Sequence, residues 1–228
     1  MPSTKENLQI LFEDNHLIIV NKRPGDISQG DKTGDIPLSE VVKTYIKEKY
    51  NKPGNVYLGV VHRLDRPTSG VIIFAKTSKA LERLNKMLRE KKIKKTYWAI
   101  SKKAAIQEKD TLVSYLKKNP KNNKSTVFTK ETTGSKQAIL HYQVLQTLDH
   151  YFLFEINLET GRHHQIRAQL ASIGCPIKGD LKYGFNRSNK DGSIHLHARK
   201  IQFKHPVSKE EINITAPTPN DALWKACQ

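Results

Sequence analysis

The segment 61–70, VHRLDRPTSG, places one carboxylate, Asp65, between Arg63 and Arg66. The residue before a proline disfavours helical backbone, and Pro-Thr-Ser-Gly is typical of a turn, so we expect Asp65 near the end of a preceding strand. Two guanidinium groups would favour the ionised carboxylate if their side chains approach it. The pattern fits either a structural ion pair or a site that holds an ionised aspartate beside a polyanion.

A second group of charged residues lies in the segment 159–184, ETGRHHQIRAQLASIGCPIKGDLKYG. Its apolar spacing predicts a helix from Arg162 to Ile173, which ends at Gly-Cys-Pro. A cation in the first turn of a helix is unfavourable, so Arg162 is expected to meet an anion. Arg167 lies beside the apolar stripe, where it can pair with a surface acid or with Asp65 and keep that carboxylate deprotonated.

The third candidate is the segment 91–100, KKIKKTYWAI, in which four lysines precede Tyr97 and Trp98. Cations for phosphates and aromatic rings for stacked bases are the groups that nucleic-acid sites use. Neighbouring side chains in a strand point to opposite faces, so at most one of the two rings joins a given pocket. We expect the other ring in the core.

Histidines occur as an adjacent pair, His163 and His164, and as an alternating pair, His195 and His197. Neither pair has the spacing of a zinc protease or a zinc deaminase. We therefore expect polar strand residues or phosphate contacts at these positions, and neither a metal nor another cofactor.

The elements that must position these residues follow from the spacing of apolar residues, which switches repeatedly between period 2 and period 3.6. The regular strand–helix alternation of a parallel sheet is missing. An α+β fold is therefore predicted. Strands are expected at LQILF, HLIIVNK, VYLGVVH, GVIIFAK, KTYWAI, AILHYQVLQ, YFLFEINL, SIHLHA and EINIT. Helical spacing begins at Leu38, with Ser39 placed to cap, and at Leu81, which follows Ser78 as its cap.

Composition and length favour one globular domain over residues 1–228, with 37% hydrophobic and 27% charged residues. Such a chain can bury a core without disulfides or metals. Cys175 and Cys227 form no C-x-x-C pair, which favours a reducing compartment. No signal peptide or membrane span is predicted, so we expect a cytoplasmic protein. We also expect a monomer that does not bind membranes.

The charge balance is strongly basic, with 39 Lys and Arg against 22 Asp and Glu and a net charge of +17. This excess predicts a polyanionic partner, and nucleic acid is favoured. A solvated basic surface is the alternative, and no long basic amphipathic helix favours an anionic membrane. Two basic segments, 117–125 and 184–192, are predicted to be exposed loops that either become ordered on RNA or are simple solvated insertions.

The motifs HRLDRPTSG, KTYWA and TGRHHQIRAQL…PIKGDLKYG, followed by LHA at 196–198, resemble the RluA-type pseudouridine synthase family in this order. NKRPGDISQGD resembles the N-K-P-x-G opening of that family, with the proline one position later at Pro24. The resemblance spans nearly the whole chain. It implies the pseudouridine synthase fold, an α+β fold with a central mixed, mainly antiparallel sheet and an RNA-binding cleft. It also implies that the N-terminal S4 domain of many relatives is missing.

The resemblance further implies a reaction, the isomerisation of a uridine in structured ribosomal or transfer RNA to pseudouridine, with base flipping and without a cofactor. On the family pattern Asp65 is the nucleophile and Arg167 its ion-pair partner. Tyr97 stacks on the uracil and is a candidate base, and Arg63 fills the space that the flipped base leaves. The other expected RNA contacts are His62, Arg66, Arg162, His164 and Lys95.

Several alternatives stay open on the sequence alone. Asp65 can attack C1′, add to C6 of the uracil, or act in a route through a glycal. A non-catalytic RNA-binding or ribosome-assembly protein on the same fold would not require Asp65. A phosphate-handling hydrolase would require a metal.

Overall fold

The computed structural model describes residues 2–31 and 33–227 and divides into two compact units. Unit 1 comprises Met1–Lys95 and Ala198–Pro219, and unit 2 comprises Thr96–His197 and Asn220–Gln228. The expectation of one catalytic domain over the whole chain stays a prediction. Within the described ranges, no helix is both long enough and apolar enough to cross a membrane.

The strands are defined here in chain order, and the helices follow. The strands are β1 (Ile10–Glu13), β2 (Leu17–Lys22), β3 (Gly59–Val60), β4 (Ser69–Ala75), β5 (Lys94–Ser101), β6 (Lys109–Asn119), β7 (Lys124–Phe128), β8 (Lys136–Thr147), β9 (Phe152–Leu158), β10 (Leu196–Lys204) and β11 (Glu211–Thr215). The helices are α1 (Leu38–Lys49), α2 (Ser78–Arg89), α3 (Gln165–Ser172) and α4 (Ala222–Lys225), with a short 3₁₀ turn at Leu181–Tyr183.

Unit 1 is built on two fully buried strands, β2 and β4, which pair antiparallel. Their apolar runs fill both faces of the sheet, as near-continuous hydrophobic strands do when both faces are covered. β1 pairs with β2, β3 pairs with β4, and β11 pairs with β10. Ala80 and Leu84 of α2 pack on this sheet beside Ile19 and Ile73. The ends of β2 and β4 thus provide a rigid support for the residues just outside them.

Unit 2 is an antiparallel array in the order β5, β9, β8, β6, β7. One cluster joins Ile100 and Leu153 to Trp224 of α4. Another joins Leu116 and Ala138 to side chains of α3 and of the 3₁₀ turn. The second cluster anchors α3 on the sheet.

The α+β prediction is confirmed, and β11 coincides with the predicted segment EINIT. The predicted strand VYLGVVH was too long, because pairing is limited to Gly59–Val60. The predicted loop 117–125 was wrong: β6 and β7 form a hairpin around a turn at 120–123. Most side chains at the end of β6 are exposed lysines, so the segment lacks the apolar alternation that marks a strand. The segment 184–192 contains no helix or strand, as predicted.

The predicted caps of the first two helices and the predicted start of the third were wrong. Ser39 lies inside α1, which starts after Pro37. Thr77, rather than Ser78, caps α2 through its side chain, which accepts the backbone N–H of Ala80. The third helix starts at Gln165 instead of Arg162, because the preceding His164 has a left-handed backbone with φ of 53°.

Candidate active site

The loop between β3 and β4 carries Asp65, which is half-buried. Buried contacts fix the loop immediately before it: the Leu64 N–H donates to Ser28 Oγ at 3.1 Å, and Ser28 Oγ donates to the Leu64 carbonyl at 3.0 Å. Immediately after it, the Thr68 N–H donates to the Asp65 carbonyl at 3.0 Å and closes a turn. The carboxylate therefore projects from a short segment whose backbone is held on both sides. This segment is a loop beyond the end of β3 at Val60, so the expected position at the end of the preceding strand was wrong.

Lys22, the last residue of β2, lies under this loop and is almost completely buried. Its Nζ donates to the carbonyls of Arg23, Arg66 and Thr68 at 2.9, 3.1 and 2.7 Å. Burial lowers the pKa of Lys22 to about 7, against the attraction of the Asp26 and Asp65 carboxylates. Lys22 therefore holds the Asp65 turn through backbone acceptors and places a titratable cation close to the carboxylate.

His62 has a structural contact within unit 1, since its Nε2 accepts the backbone N–H of Ile73 in β4 at 3.2 Å. Burial and the nearby charge of Lys95 lower the pKa of His62 to about 3, so the ring is neutral at pH 7. Burial also lowers the pKa of Lys95. Their expected RNA contacts stay predictions, and a neutral His62 would act there through hydrogen bonding rather than charge.

The two arginines that flank Asp65 are both exposed. Arg66 Nη2 contacts the Asp35 carboxylate and the Thr33 hydroxyl, and this guanidinium lowers the pKa of Asp35. Exposed ion pairs are weak and are screened by salt, so an RNA phosphate can compete for Arg66. Arg63 extends from the same loop at the surface of unit 1.

Tyr97 lies in β5 opposite Ile156 of β9 and is buried, with 7% of its surface exposed. The neighbouring Trp98 points to the other face of the strand, where it packs against the cluster that contains Ile100 and Trp224. Trp98 is half-buried against this cluster, and Tyr97 is the more buried of the two rings, so the expectation that one ring joins an RNA pocket stays a prediction.

Arg167 of α3 is buried and forms a bidentate pair with Asp180 in unit 2. Its Nε donates to Asp180 Oδ2 at 2.6 Å and its Nη2 to Oδ1 at 2.8 Å. The guanidinium carbon also lies 5.2 Å from the centre of the Tyr183 ring. Sequence reasoning did not assign a role to Asp180 or Tyr183, although both lie in the quoted motif PIKGDLKYG. The pairing of Arg167 with Asp65 stays a prediction.

His163 and His164 stack on one another with ring centres 3.8 Å apart. His163 contacts the β6–β7 hairpin, and His164 contacts the 3₁₀ turn. Ser125 Oγ of β7 lies 2.9 Å from His163 Nδ1 and 2.7 Å from its carbonyl. His164 is buried, and its Nδ1 lies 3.0 Å from the Tyr183 hydroxyl. The predicted RNA contact of His164 stays a prediction.

Arg162 lies before α3 rather than in its first turn, so the expected conflict with the helix dipole does not arise. Its Nε donates to the Gln137 carbonyl of β8 at 2.8 Å, and its backbone N–H donates to Gln165 Oε1 at 3.0 Å. The side chain is exposed and keeps other donors for a phosphate.

The other pair of histidines, His195 and His197, is buried in unit 2. His195 Nε2 lies 3.1 Å from Asp221 Oδ1, and its ring stacks on Trp224. Burial lowers the pKa of His195. Across residues 2–31 and 33–227, no group of three or more His, Cys, Asp or Glu side chains is placed to hold a metal ion.

Comparison with known proteins gives a family match over residues 16–172, to the model described as RNA pseudouridylate synthase. The chain belongs to this family. Its relatives include an uncharacterized RNA pseudouridine synthase of Bacillus subtilis, 36% identical over 94% of this chain and 70% of the relative. Ribosomal large subunit pseudouridine synthase C of Buchnera aphidicola is 39% identical over 92% of this chain and 67% of the relative. A tRNA pseudouridine synthase C of Pectobacterium carotovorum is 30% identical, and the match spans 96% of this chain but 60% of that protein.

The fold of the family is confirmed by a solved structure, that of human RNA pseudouridylate synthase domain containing 4. It superposes with a TM-score of 0.80 over 96% of this chain and 92% of the human chain, at 23% sequence identity. The resemblance drawn from the motifs is therefore confirmed for both family and fold. This chain is a member of an isomerase family, as expected.

The family match includes Asp65, Tyr97 and Arg167, the residues to which the motif resemblance gives catalytic roles. It ends at residue 172, before Asp180 and Tyr183. Lys22, Asp180 and Tyr183 lie next to motif residues, but their burial is visible only in the structure. A sequence signal was nevertheless present, because all three lie inside segments quoted for the resemblance.

Proposed function

We propose that this protein isomerises a uridine of ribosomal or transfer RNA to pseudouridine, with Asp65 as the nucleophile. The observation that carries the proposal is the family match over residues 16–172, which contains the complete HRLDRPTSG motif. The names of the relatives support both RNA classes, and the charge of +17 supports a polyanionic substrate.

A uridine in structured RNA is inaccessible inside its stack, so the reaction requires that the base be flipped out. Flipping costs a few kcal/mol, and a side chain that fills the vacated stack recovers part of this cost. Arg63 suits this role because its guanidinium is long, planar, permanently charged and exposed.

The reaction breaks the bond between N1 and C1′ and forms a bond between C5 and C1′. The proton on C5 is released, and N1 gains a proton, so the atoms balance without an external reagent. Asp65 must be ionised to act as a nucleophile at C1′ or C6, or as a base at C2′. The fixed turn around Asp65 supports this role, because a preorganised carboxylate loses little orientational freedom during the reaction.

Tyr97 is proposed to stack on the uracil and to be a base for the C5 proton, and Arg167 to be the cation that pairs with Asp65. The burial of both side chains supports these roles, because a low-dielectric environment strengthens interactions with charge. His62, Arg66, Arg162, His164 and Lys95 are proposed as the surrounding RNA contacts.

The remaining proposals concern the cellular context. Both cysteines are free thiols, which supports a reducing compartment such as the cytoplasm. A monomer is proposed as the working form. Size-exclusion chromatography with light scattering measures its mass directly, and a mass of two chains would refute this proposal.

The decisive experiment measures tritium release from RNA labelled at C5 of uridine, with total transfer RNA and ribosomal RNA assayed separately. Wild type, Asp65→Asn and the control Asp149→Asn are compared. Asp149 is an exposed carboxylate between β8 and β9, so its substitution removes the same charge away from the motif. We expect release by wild type and by Asp149→Asn, and none by Asp65→Asn.

Each outcome has a distinct meaning. Release from one RNA class identifies the substrate class in which the modified uridine should be mapped. No release from either class, with RNA binding equal in wild type and Asp65→Asn, would refute catalysis and favour a non-catalytic RNA-binding protein. Equal release by wild type and Asp65→Asn would refute the role of Asp65.

A further inference from the structure

We propose that Asp180 is a positioning residue that fixes the guanidinium of Arg167 for the isomerisation. This inference rests on the proposed function, and it assigns a role to a residue that lies beyond the family match at residue 172. Asp180 acts through Arg167 and is not itself proposed to touch the RNA.

The geometry of the pair restricts Arg167 to one orientation. Two parallel hydrogen bonds, from Nε and Nη2 to the two oxygens of Asp180, fix both the position and the plane of the guanidinium. Only 5% of Arg167 and 1% of Asp180 are exposed, so water does not compete for these donors. A surface ion pair would not hold a side chain this firmly.

Asp180 is itself held by its backbone. Its N–H donates to the Ile177 carbonyl at 3.0 Å, and its carbonyl accepts the N–H groups of Tyr183 and Phe185 at 3.1 and 3.0 Å. The preceding Gly179 has φ of 88°, and a Cβ at this position would lie 2.7 Å from the Ser193 carbonyl oxygen. The carboxylate thus projects from a turn that has little room to move.

Tyr183 completes the support on the other side of the guanidinium. Its ring lies 5.2 Å from the Arg167 guanidinium carbon, within the range of a cation–π contact. Its hydroxyl accepts the Ser125 N–H at 2.8 Å and lies 3.0 Å from His164 Nδ1. These contacts connect the turn after α3 to both the start of α3 and the β6–β7 hairpin.

A misplacement of about 1 Å in a catalytic group can cost about 100-fold in rate. Asp180→Asn keeps the shape of the side chain but replaces one acceptor by a donor that faces the guanidinium. We therefore expect a loss between about 10-fold and 100-fold in kcat, with KM for RNA changed by less than about twofold.

The test compares kcat, KM and Tm of wild type, Asp180→Asn, Asp180→Glu and the control Gln169→Leu, using C5-tritiated RNA. Gln169 is also buried in α3, and its Nε2 donates to the Leu112 carbonyl, Ser114 Oγ and the Ala138 carbonyl. Its substitution removes buried hydrogen bonds from the same helix without touching the Arg167 pair. We expect it to lower Tm and leave kcat unchanged.

Two further variants separate positioning from general stability. In an Arg167→Met background, Asp180→Asn should cause no additional loss of kcat and should raise Tm, because it removes a buried carboxylate that has lost its cation. Asp180→Glu keeps the charges balanced but displaces the guanidinium, so it should also lower kcat. This variant provides the test if Asp180→Asn fails to fold.

The outcomes distinguish this inference from the proposed function. No tritium release by wild type would refute the proposed function and this inference with it. Release by wild type, with kcat of Asp180→Asn or Asp180→Glu equal to that of Gln169→Leu, would refute the positioning role alone. A further loss of kcat when Asp180→Asn is added to Arg167→Met would also refute it, because Asp180 would then act independently of Arg167.

Discussion

The most direct structural prediction concerns Gly70, the second residue of β4 and the last residue of the HRLDRPTSG motif. Its φ of 113° lies outside the usual left-handed region of L residues. A Cβ at this position would lie 2.5 Å from the nitrogen and 2.7 Å from the carbonyl carbon of Ala198, with the carbonyl oxygen closer still. All of these are backbone atoms of β10, so no side chain can rotate away. Gly70→Ala should therefore separate β4 from β10 at this point.

The magnitude has two parts. Backbone strain at an unfavourable φ costs about 1–3 kcal/mol. Ordinary van der Waals contacts begin at 3.4 Å, so the two strands must separate by about 1 Å, and forced overpacking of this kind costs about 1–3 kcal/mol. The sum, about 2–6 kcal/mol, is a large part of the 5–15 kcal/mol that typically stabilises a domain.

Gly25→Ala is the matched control because Gly25 also belongs to unit 1 and also has a positive φ, 93°, but has no atom within 4 Å of the added Cβ. It should show the backbone strain alone. Urea denaturation monitored by tryptophan fluorescence and by circular dichroism would give the two free energies of unfolding. If Gly70→Ala costs no more than Gly25→Ala, the predicted contact with Ala198 does not determine the tolerance of this position.

Two other predictions concern unit 1. Lys22 has a lower pKa in the folded protein, about 7, than its ordinary value of 10.5, so the unfolded chain binds more protons between these values and stability rises with pH. Relative to Lys22→Met, the free energy of unfolding of wild type, measured by urea denaturation, should increase by about 2 kcal/mol from pH 7 to 9. A difference between the two proteins that stays constant over this range would contradict the lowered pKa of Lys22. Thr77→Ala should cost about 1 kcal/mol by removing the cap of α2, whereas exposed Ser78→Ala should cost less than about 0.5 kcal/mol in the same assay. The opposite order would identify Ser78 as the cap.

The two central strands of unit 1, β2 and β4, could be predicted well because their sequence pattern is strong. Leu17–Val20 and Val71–Ala75 are uninterrupted apolar runs, and the strands that contain them, β2 and β4, are buried along their whole length. The turn at Asp65 followed from Arg66-Pro67 and the residues after it. The role of Lys22 did not follow, because a lysine at the end of a strand is usually exposed, and three carbonyl acceptors from other segments are a property of the folded chain.

The errors in unit 2 arise where tertiary contacts override local preference. Helical spacing extends back to Arg162, but the left-handed His164 delays the helix, and Gln165 accepts the N–H of Arg162 through its side chain. The lysine-rich end of β6 has the composition of a loop, yet it pairs with β7 over Tyr115–Asn119. Local sequence cannot indicate such pairing, because the stabilising partners lie in another segment.

The two units also differ in how they hold their principal charged side chain. In unit 1, Asp65 is half-buried, and hydrogen bonds to the backbone on either side of it fix the loop. In unit 2, Arg167 is fully buried, and its side chain is fixed directly by another side chain, Asp180. If a single backbone hydrogen bond near Asp65 is lost, the remaining ones still hold the loop. Loss of Asp180, in contrast, leaves the buried Arg167 cation without this carboxylate. Substitutions of the residues that support Arg167 should therefore be tolerated less well than equally conservative substitutions in the Asp65 loop.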